Sequence, residues 1–402
     1  VLSLFVAAAL AVADAGAAPV PVVAAAPDAA PAEFIDDVKA LYQVVTCQEG
    51  ALPENLDAKT VGKYCAKMKP KFERFREHWG ADATKFLTAL HPASLPSELV
   101  YPFGGGDMMM ALTAFPHQTV YTTLSLELAG DPRRIKTLTD KKTLEQSLAN
   151  IDQAATTTLL SNNSKSVNLS KIQKGDLPGQ LSMHLMGLAL HDYEPVSVRF
   201  FRIQDDGTLH YYSLAEVTAM EGQTATKLRA NWQSPDFSPA FANVEVQFVP
   251  KGQPAATRLI HRHIAADIGN EGLKKTPGVL KHLEAKGHVA VLVKAASYLL
   301  WNDNYSSIRD YLTGHLDFML SDSTGVPLRF CKKAGLTLET YGGFEKTFLG
   351  TGGSNGQELA ALFAAQKRKL PFRFGYPDGS DKKLAHMMVT RRPAPGADAG
   401  TP

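Results

Sequence analysis

Apolar positions recur every three or four residues in two stretches near the start of the chain. Phe34, Val38, Leu41, Val44 and Val45 predict a helix over 31–47; Val61, Cys65, Met68, Phe72, Phe75 and Trp79 predict a second over 58–79. A third, short helix follows over 82–90. Then the period changes. Residues 99–103 form an unbroken apolar run that ends in Gly104, Gly105 and Gly106. Asp107 opens a short segment with helical spacing, Pro116 closes it, and a second β-rich run over 119–126 ends on Glu127. The order is strand, glycine loop, helix, strand, acid.

Further on, Leu144, Leu148, Ile151, Ala155 and Leu159 mark a long helix, and Leu177, Leu181, Leu185 and Leu188 share one face of another. Runs over 196–203 and 208–214 read as a hairpin across Asp205-Asp206-Gly207, and runs over 244–249 and 258–265 as a strand pair around Lys251-Gly252. Residues 277–284 predict a short helix with Pro at its start, and 289–293 a central, fully buried strand. The spacing over 305–320 predicts one helix, capped by Asp303 or Asn304; 357–366 reads as a helix and 384–390 as a strand. No fixed-period repeat appears. The expected class is α/β: a Rossmann-like mixed sheet with helices on both faces, preceded by a small helical region. The expected units are a helical region over 33–92 and an α/β domain over 93–392, with a disordered tail over 393–402.

Composition narrows the function classes. In 402 residues, 45% apolar and 20% charged, a large core is available. A net charge of +2 without a basic stripe argues against nucleic-acid binding. Past the first residues no apolar run is long enough to span a membrane. The opening VLSLFVAAALAVA, followed by small residues, reads as a secretory leader over 1–17, and 18–32 as a Pro/Ala linker. An exported protein, periplasmic or attached to the cell envelope, is expected. Cys47 and Cys65 suit either a staple between two helices or two buried thiols; Cys331 is remote, and no Cys-x-x-Cys occurs.

The glycine loop is the first place for a ligand. Backbone without Cβ lets a ligand approach the N–H groups, and a helix N-terminus offers donors with partial positive charge. An acid ending the next strand accepts from ribose hydroxyls, and Glu127 lies 21 residues past Gly106. Lys294 follows the apolar run over 289–293, where open α/β sheets place ligands, with Ser297, Tyr298 and Asp303 beyond it. The candidate ligand-binding set is therefore Gly104, Gly105, Gly106, Asp107, Glu127 and Lys294. The same residues also read as an N-cap at Asp107 and a lysine paired with an acid.

Other chemistry is less well supported. His261 and His263 share a strand face with Asp267 behind them, and His184 and His191 bracket a helix end, but no three ligands converge as zinc requires. The strand pair reads as half-exposed histidines, and no metal is expected. Gly352-Gly-Ser-Asn-Gly356 matches the nucleophile-elbow letters, with Asp378 or Asp381 and then His386 in triad order. Gly350 and Thr351 loosen its approach, so it reads as a glycine loop. Met108-Met-Met110 reads as core.

The strand–glycine–helix–strand–acid unit resembles class I methyltransferases in outline. It departs from them where Tyr101-Pro102-Phe103 replaces the acid expected before the first glycine, and where Met109 takes the place of the third glycine. The chain also resembles an uncharacterised family of exported bacterial proteins. That likeness rests on Tyr101 to Asp107 with Leu126-Glu127, and on Lys294 to Leu299 with Ile308-Arg309 and Asp322 to Pro327. It implies one domain containing both segments and brings no activity. Two readings stand: a non-enzymatic envelope protein or small-molecule binder, and an enzyme acting at a degenerate methyltransferase-like site on a nucleotide-like or anionic ligand. The cofactor and the oligomeric state stay open.

Overall fold

The two apolar runs that flank the glycines become the middle of a ten-stranded mixed sheet. The structure is a computed structural model that describes residues 30–161, 176–223, 238–254, 257–294, 296–322, 325–344, 354–374 and 386–393. β1 (Glu98–Pro102) pairs in parallel with β2 (Val120–Ser125). Then come β3 (Tyr193–Ile203), β4 (Leu209–Tyr211), β5 (Asn243–Pro250) and β6 (Leu259–Ala265). The last four are β7 (Val289–Val293), β8 (Leu316–Ser321), β9 (Thr337–Gly342) and β10 (His386–Arg391). The spatial order is β4-β3-β5-β6-β2-β1-β7-β8-β10-β9. The central five, β6-β2-β1-β7-β8, are parallel. Antiparallel strands flank them on both sides.

From β1 the chain builds outward through β2 and β6 on one side and through β7 and β8 on the other. The gap between β1 and β7 is therefore the topological switch point, and the carboxyl ends of these strands form the edge where open α/β sheets hold ligands.

Alternation sorts the strand residues between two cores. Leu99, Tyr101, Ala290, Leu292, Phe318 and Leu320 face one, while Val100, Val289, Val291, Val293 and Met319 face the other. The first core is covered by α1 (Ile35–Thr46), α2 (Ala58–Phe75), α3 (Ala81–Thr88), α4 (Met108–Ala114), α6 (Lys141–Ser161) and α7 (Gly179–Leu190), with the short α5 (Arg134–Thr137) beside them. Helices Asn270–Lys275, Pro277–Glu284 and Ser306–His315 cover the second. Thus the fold is α/β with helices on both faces, and the N-terminal helices join the core of the sheet.

Two expectations change here. The stretch over 305–320 is not one helix: it stops at His315, and Leu316–Ser321 is β8, paired with β7 and β10. Its start is capped differently as well, since Asn302 caps the single turn Asp303–Tyr305 that precedes the helix. The second expected helix runs from α2 through a five-residue π-turn, Arg76–Gly80, into α3. That turn sets Phe75 and Trp79 together, ring centres 5.3 Å apart. Cys47 and Cys65 are bonded, joining α1 to α2 with a Cα–Cα distance of 5.4 Å. Among the described residues no helix is long and apolar enough to cross a membrane. The proposed leader, most of the linker, Asp378, Asp381, nearly all of the tail and part of the 352–356 glycine motif lie outside the described residues.

Candidate functional site

The loop between β1 and α4 is shaped by its own contacts. Phe103 (φ 60°) and Gly105 (φ 49°) both turn left-handed, folding the chain back over the end of β1. The Gly104 amide donates to Tyr101 O at 3.2 Å and to Leu124 O at 3.0 Å, which ties the loop to β2. Asp107 is the N-cap of α4; its Oδ1 accepts from the Met110 amide, at a long 3.4 Å. Gly106 is needed for packing: a Cβ there would stand 2.6 Å from Met183 Cβ on α7. Gly187, one turn along α7, lies against α4 in the same way, and its Cβ would be 2.6 Å from Met109 N. Two glycines thus let two helices approach closely, and the cavity left between them and α6 is about 10 Å³, roughly the room of one water.

Asp107 is more than a cap. Its Oδ2 accepts from Lys294 Nζ and from Tyr101 Oη, each at 3.0 Å. All three side chains are buried, with Lys294 at 0% exposure. The pair bridges β1 and the end of β7 across the switch point. Burial, reinforced by the Asp107 carboxylate, pushes the Tyr101 hydroxyl well above its usual range, so it stays a donor. Nearby, Ser297 in the turn Ala296–Trp301 that follows β7 donates to Asp322, just past β8, and both are fully buried.

Glu127 is brought to the same edge by a different route. Its carbonyl accepts from His263 Nε2 at 2.7 Å. A carbonyl can only accept, so that nitrogen carries the proton and Nδ1 faces the Thr123 hydroxyl at 3.1 Å. Thr123 also meets His261 Nε2 at 2.9 Å. Both rings pack on His184 of α7, with centres 4.4 and 4.9 Å away, and His184 Nε2 donates to Gly105 O at 3.1 Å. A buried polar chain therefore runs from the glycine loop through α7 to β6 and β2. Burial lowers all three histidines: His261 to about 3, His263 to about 4, and His184 well below its ordinary value. They are neutral near pH 7. The half-exposed histidines expected on β6 are instead completely covered, because α7 lies over that strand face. Among the described residues no group of three His, Cys, Asp or Glu is arranged to hold a metal. The Glu127 carboxyl is itself buried, which raises its pKa.

No family model, curated protein or solved structure matches this chain.

The structure gathers Gly104, Gly105, Gly106, Asp107 and Lys294 into one cluster, while Glu127 joins it through its backbone oxygen. Sequence reasoning missed the histidine chain and the hydroxyl that Tyr101 gives to the Asp107–Lys294 pair. Alternation along β1 points Tyr101 to the Leu99 face, but only the folding back of the glycine loop brings Asp107 to its hydroxyl.

Proposed function

We propose that this is an exported, non-enzymatic cell-envelope protein. On this reading its methyltransferase-like core keeps the Rossmann strand order without using the glycine loop as a cofactor cradle. The observation that carries it is the fully buried Asp107–Lys294 pair, set beside a loop whose Gly106 lies directly against Met183. A phosphate cradle needs open amides. Here one amide bonds to β2, and a side chain abuts the neighbouring glycine. The strand order β6-β2-β1-β7-β8 matches the first five positions, 3-2-1-4-5, of the doubly wound order, so the reading keeps the likeness of architecture and drops the ligand.

Thermal-shift measurements on the full chain with S-adenosylmethionine, S-adenosylhomocysteine, NAD and ATP test this. No displacement beyond the scatter of replicates is expected. A ligand at about 100 times its dissociation constant adds about 2.7 kcal/mol, so a rise of several degrees with any of the four overturns the reading.

A second reading, a small-molecule site at the same edge using Glu127 and Lys294, has two observations in its favour. The Lys294 ammonium carries three protons and meets one acceptor among the described residues, at the switch point. Phe103, bulky yet left-handed beside it, is a costly backbone of the kind found at functional sites.

A further inference from the structure

Far from the switch point, the turn after α1 faces an open cleft of about 610 Å³, within the size range of small-molecule sites. Four parts of the chain meet there: α1, α2, the start of β3 and the turn between β5 and β6. Long-range hydrogen bonds hold the walls in place. Tyr42 Oη donates to Tyr193 O at 2.8 Å, Lys251 Nζ to Gln48 Oε1 at 2.7 Å, and the Lys251 amide to Asp192 O at 2.8 Å. The Cys47–Cys65 bond fixes α1 against α2 on the same side, so the cleft is preformed.

Its lining carries uncommitted charge. Lys39 from α1 and Lys69 from α2 make no hydrogen bond or ion pair with any described residue, although both line the cleft. Lys251 is bonded only to a neutral amide oxygen. Two acids, Glu49 and Glu194, also line it, the latter accepting from the Gly252 amide at 3.3 Å, so the three lysines exceed the carboxylates by one charge. Gln43 Nε2 on the same wall is a buried donor without an acceptor among the described residues. Donors and positive charge therefore exceed acceptors. A second hollow of about 250 Å³ adjoins this one and shares Cys47, Gln48 and Lys69 with it.

We propose that this cleft binds a compact, hydrophilic organic anion bearing two or more negative groups, held between Lys39, Lys69 and Lys251. Lysines from three separate elements line one space, so the charges of such a ligand are met from several sides at once. The inference is independent of what the glycine loop does.

Isothermal titration of the full chain with citrate, and separately with fructose 1,6-bisphosphate, tests the proposal. At low salt at least one probe binds with a dissociation constant of about 1 mM or tighter, and binding weakens as salt is raised. Lys39→Ser/Lys69→Ser weakens it at least about tenfold, whereas Lys85→Ser, an exposed change on α3 outside the cleft, leaves it unaltered. Citrate alone binding identifies carboxylates as the recognised groups; the bisphosphate alone identifies phosphoryl groups. Absence of binding by both probes overturns the proposal. So does binding that ignores the double substitution, or that falls equally with Lys85→Ser. Circular dichroism on each variant confirms that the fold is kept.

Discussion

The carboxyl edge of the parallel strands and the cleft beside the disulfide are both rich in polar side chains, and they treat them in opposite ways. At the strand edge, and beneath α7 along β6, Asp107, Lys294, Tyr101, His184, His261 and His263 are buried, and each contacts another polar group of the protein. At the cleft, the Lys39 and Lys69 side chains are exposed and make no such contact with any described residue. Removing a charge from water is repaid only by a partner, so the first group is bound up with the stability of the fold. The second group is solvated, contributes little to folding and is free to meet something else. Position in the fold points to the strand edge as the ligand site, whereas the state of the side chains points to the cleft.

The largest expected effect comes from separating the buried pair. Lys294→Met leaves the Asp107 carboxylate in the core without its cation, and the unfolding free energy should fall by about 3–5 kcal/mol. Denaturant titration measures this. A loss below about 1 kcal/mol would mean that water or a ligand already reaches Asp107, and the contrast between the two regions would break there.

Next is the packing of α7 on α4. Gly187→Ala puts a methyl group 2.6 Å from the Met109 amide nitrogen, a backbone atom that cannot rotate away. Overpacking of this kind costs about 1–3 kcal/mol. Thermal unfolding of the variant reads it, and an unchanged midpoint would show that the helices have room to separate and the loop room to open.

What could be read beforehand, and what could not, follows the same division. The unit β1, α4 and β2 was legible because glycine and proline bound its apolar runs, and Asp107 was legible as a cap from its place before the helix. β8 was not. Ile308, Tyr311, Leu312, Leu316, Met319 and Leu320 keep helical spacing throughout, and only pairing with β7 and β10 decides that the last part is a strand. Lys294 was placed at a strand end by the run before it, yet its partner stands 187 residues away in sequence. His261 and His263 fall on one face by the two-residue period, but their cover comes from α7, a different element. The cleft escaped entirely, because Lys39 and Lys69 each look like an ordinary exposed residue on a helix, and Lys251 like part of a hairpin turn.

Acid offers a graded probe of the strand edge. The three histidines are held neutral by burial, with folded pKa values depressed below the ordinary value near 6.5. Below about pH 6.5 the unfolded chain takes up protons that the folded chain refuses. Stability should therefore fall as the pH drops from about 6.5 towards 4, by up to about 1.4 kcal/mol per pH unit for each histidine. Glu127 acts in the opposite sense: its raised pKa favours the folded state at low pH, a contribution lost as pH rises through that value. Replacing His261 with Gln should flatten the acid side of the stability profile measured by denaturant titration. A slope equal to that of the unaltered protein would show that His261 is not the group taking up the proton.

The smallest effect sharpens the comparison most. Lys39→Ser/Lys69→Ser removes two exposed charges that contact no other described residue, so unfolding free energy should change by no more than about 0.5 kcal/mol per site. Set beside the loss expected for Lys294→Met, this makes the two regions differ severalfold in stability for the same type of side chain. Were the double variant to lose as much as Lys294→Met, the cleft lysines would be tied into the fold through contacts of their own, and the distinction between a stabilising edge and a receptive cleft would fail. A near-zero change, together with lost binding of citrate or the bisphosphate, would separate recognition from folding within one chain.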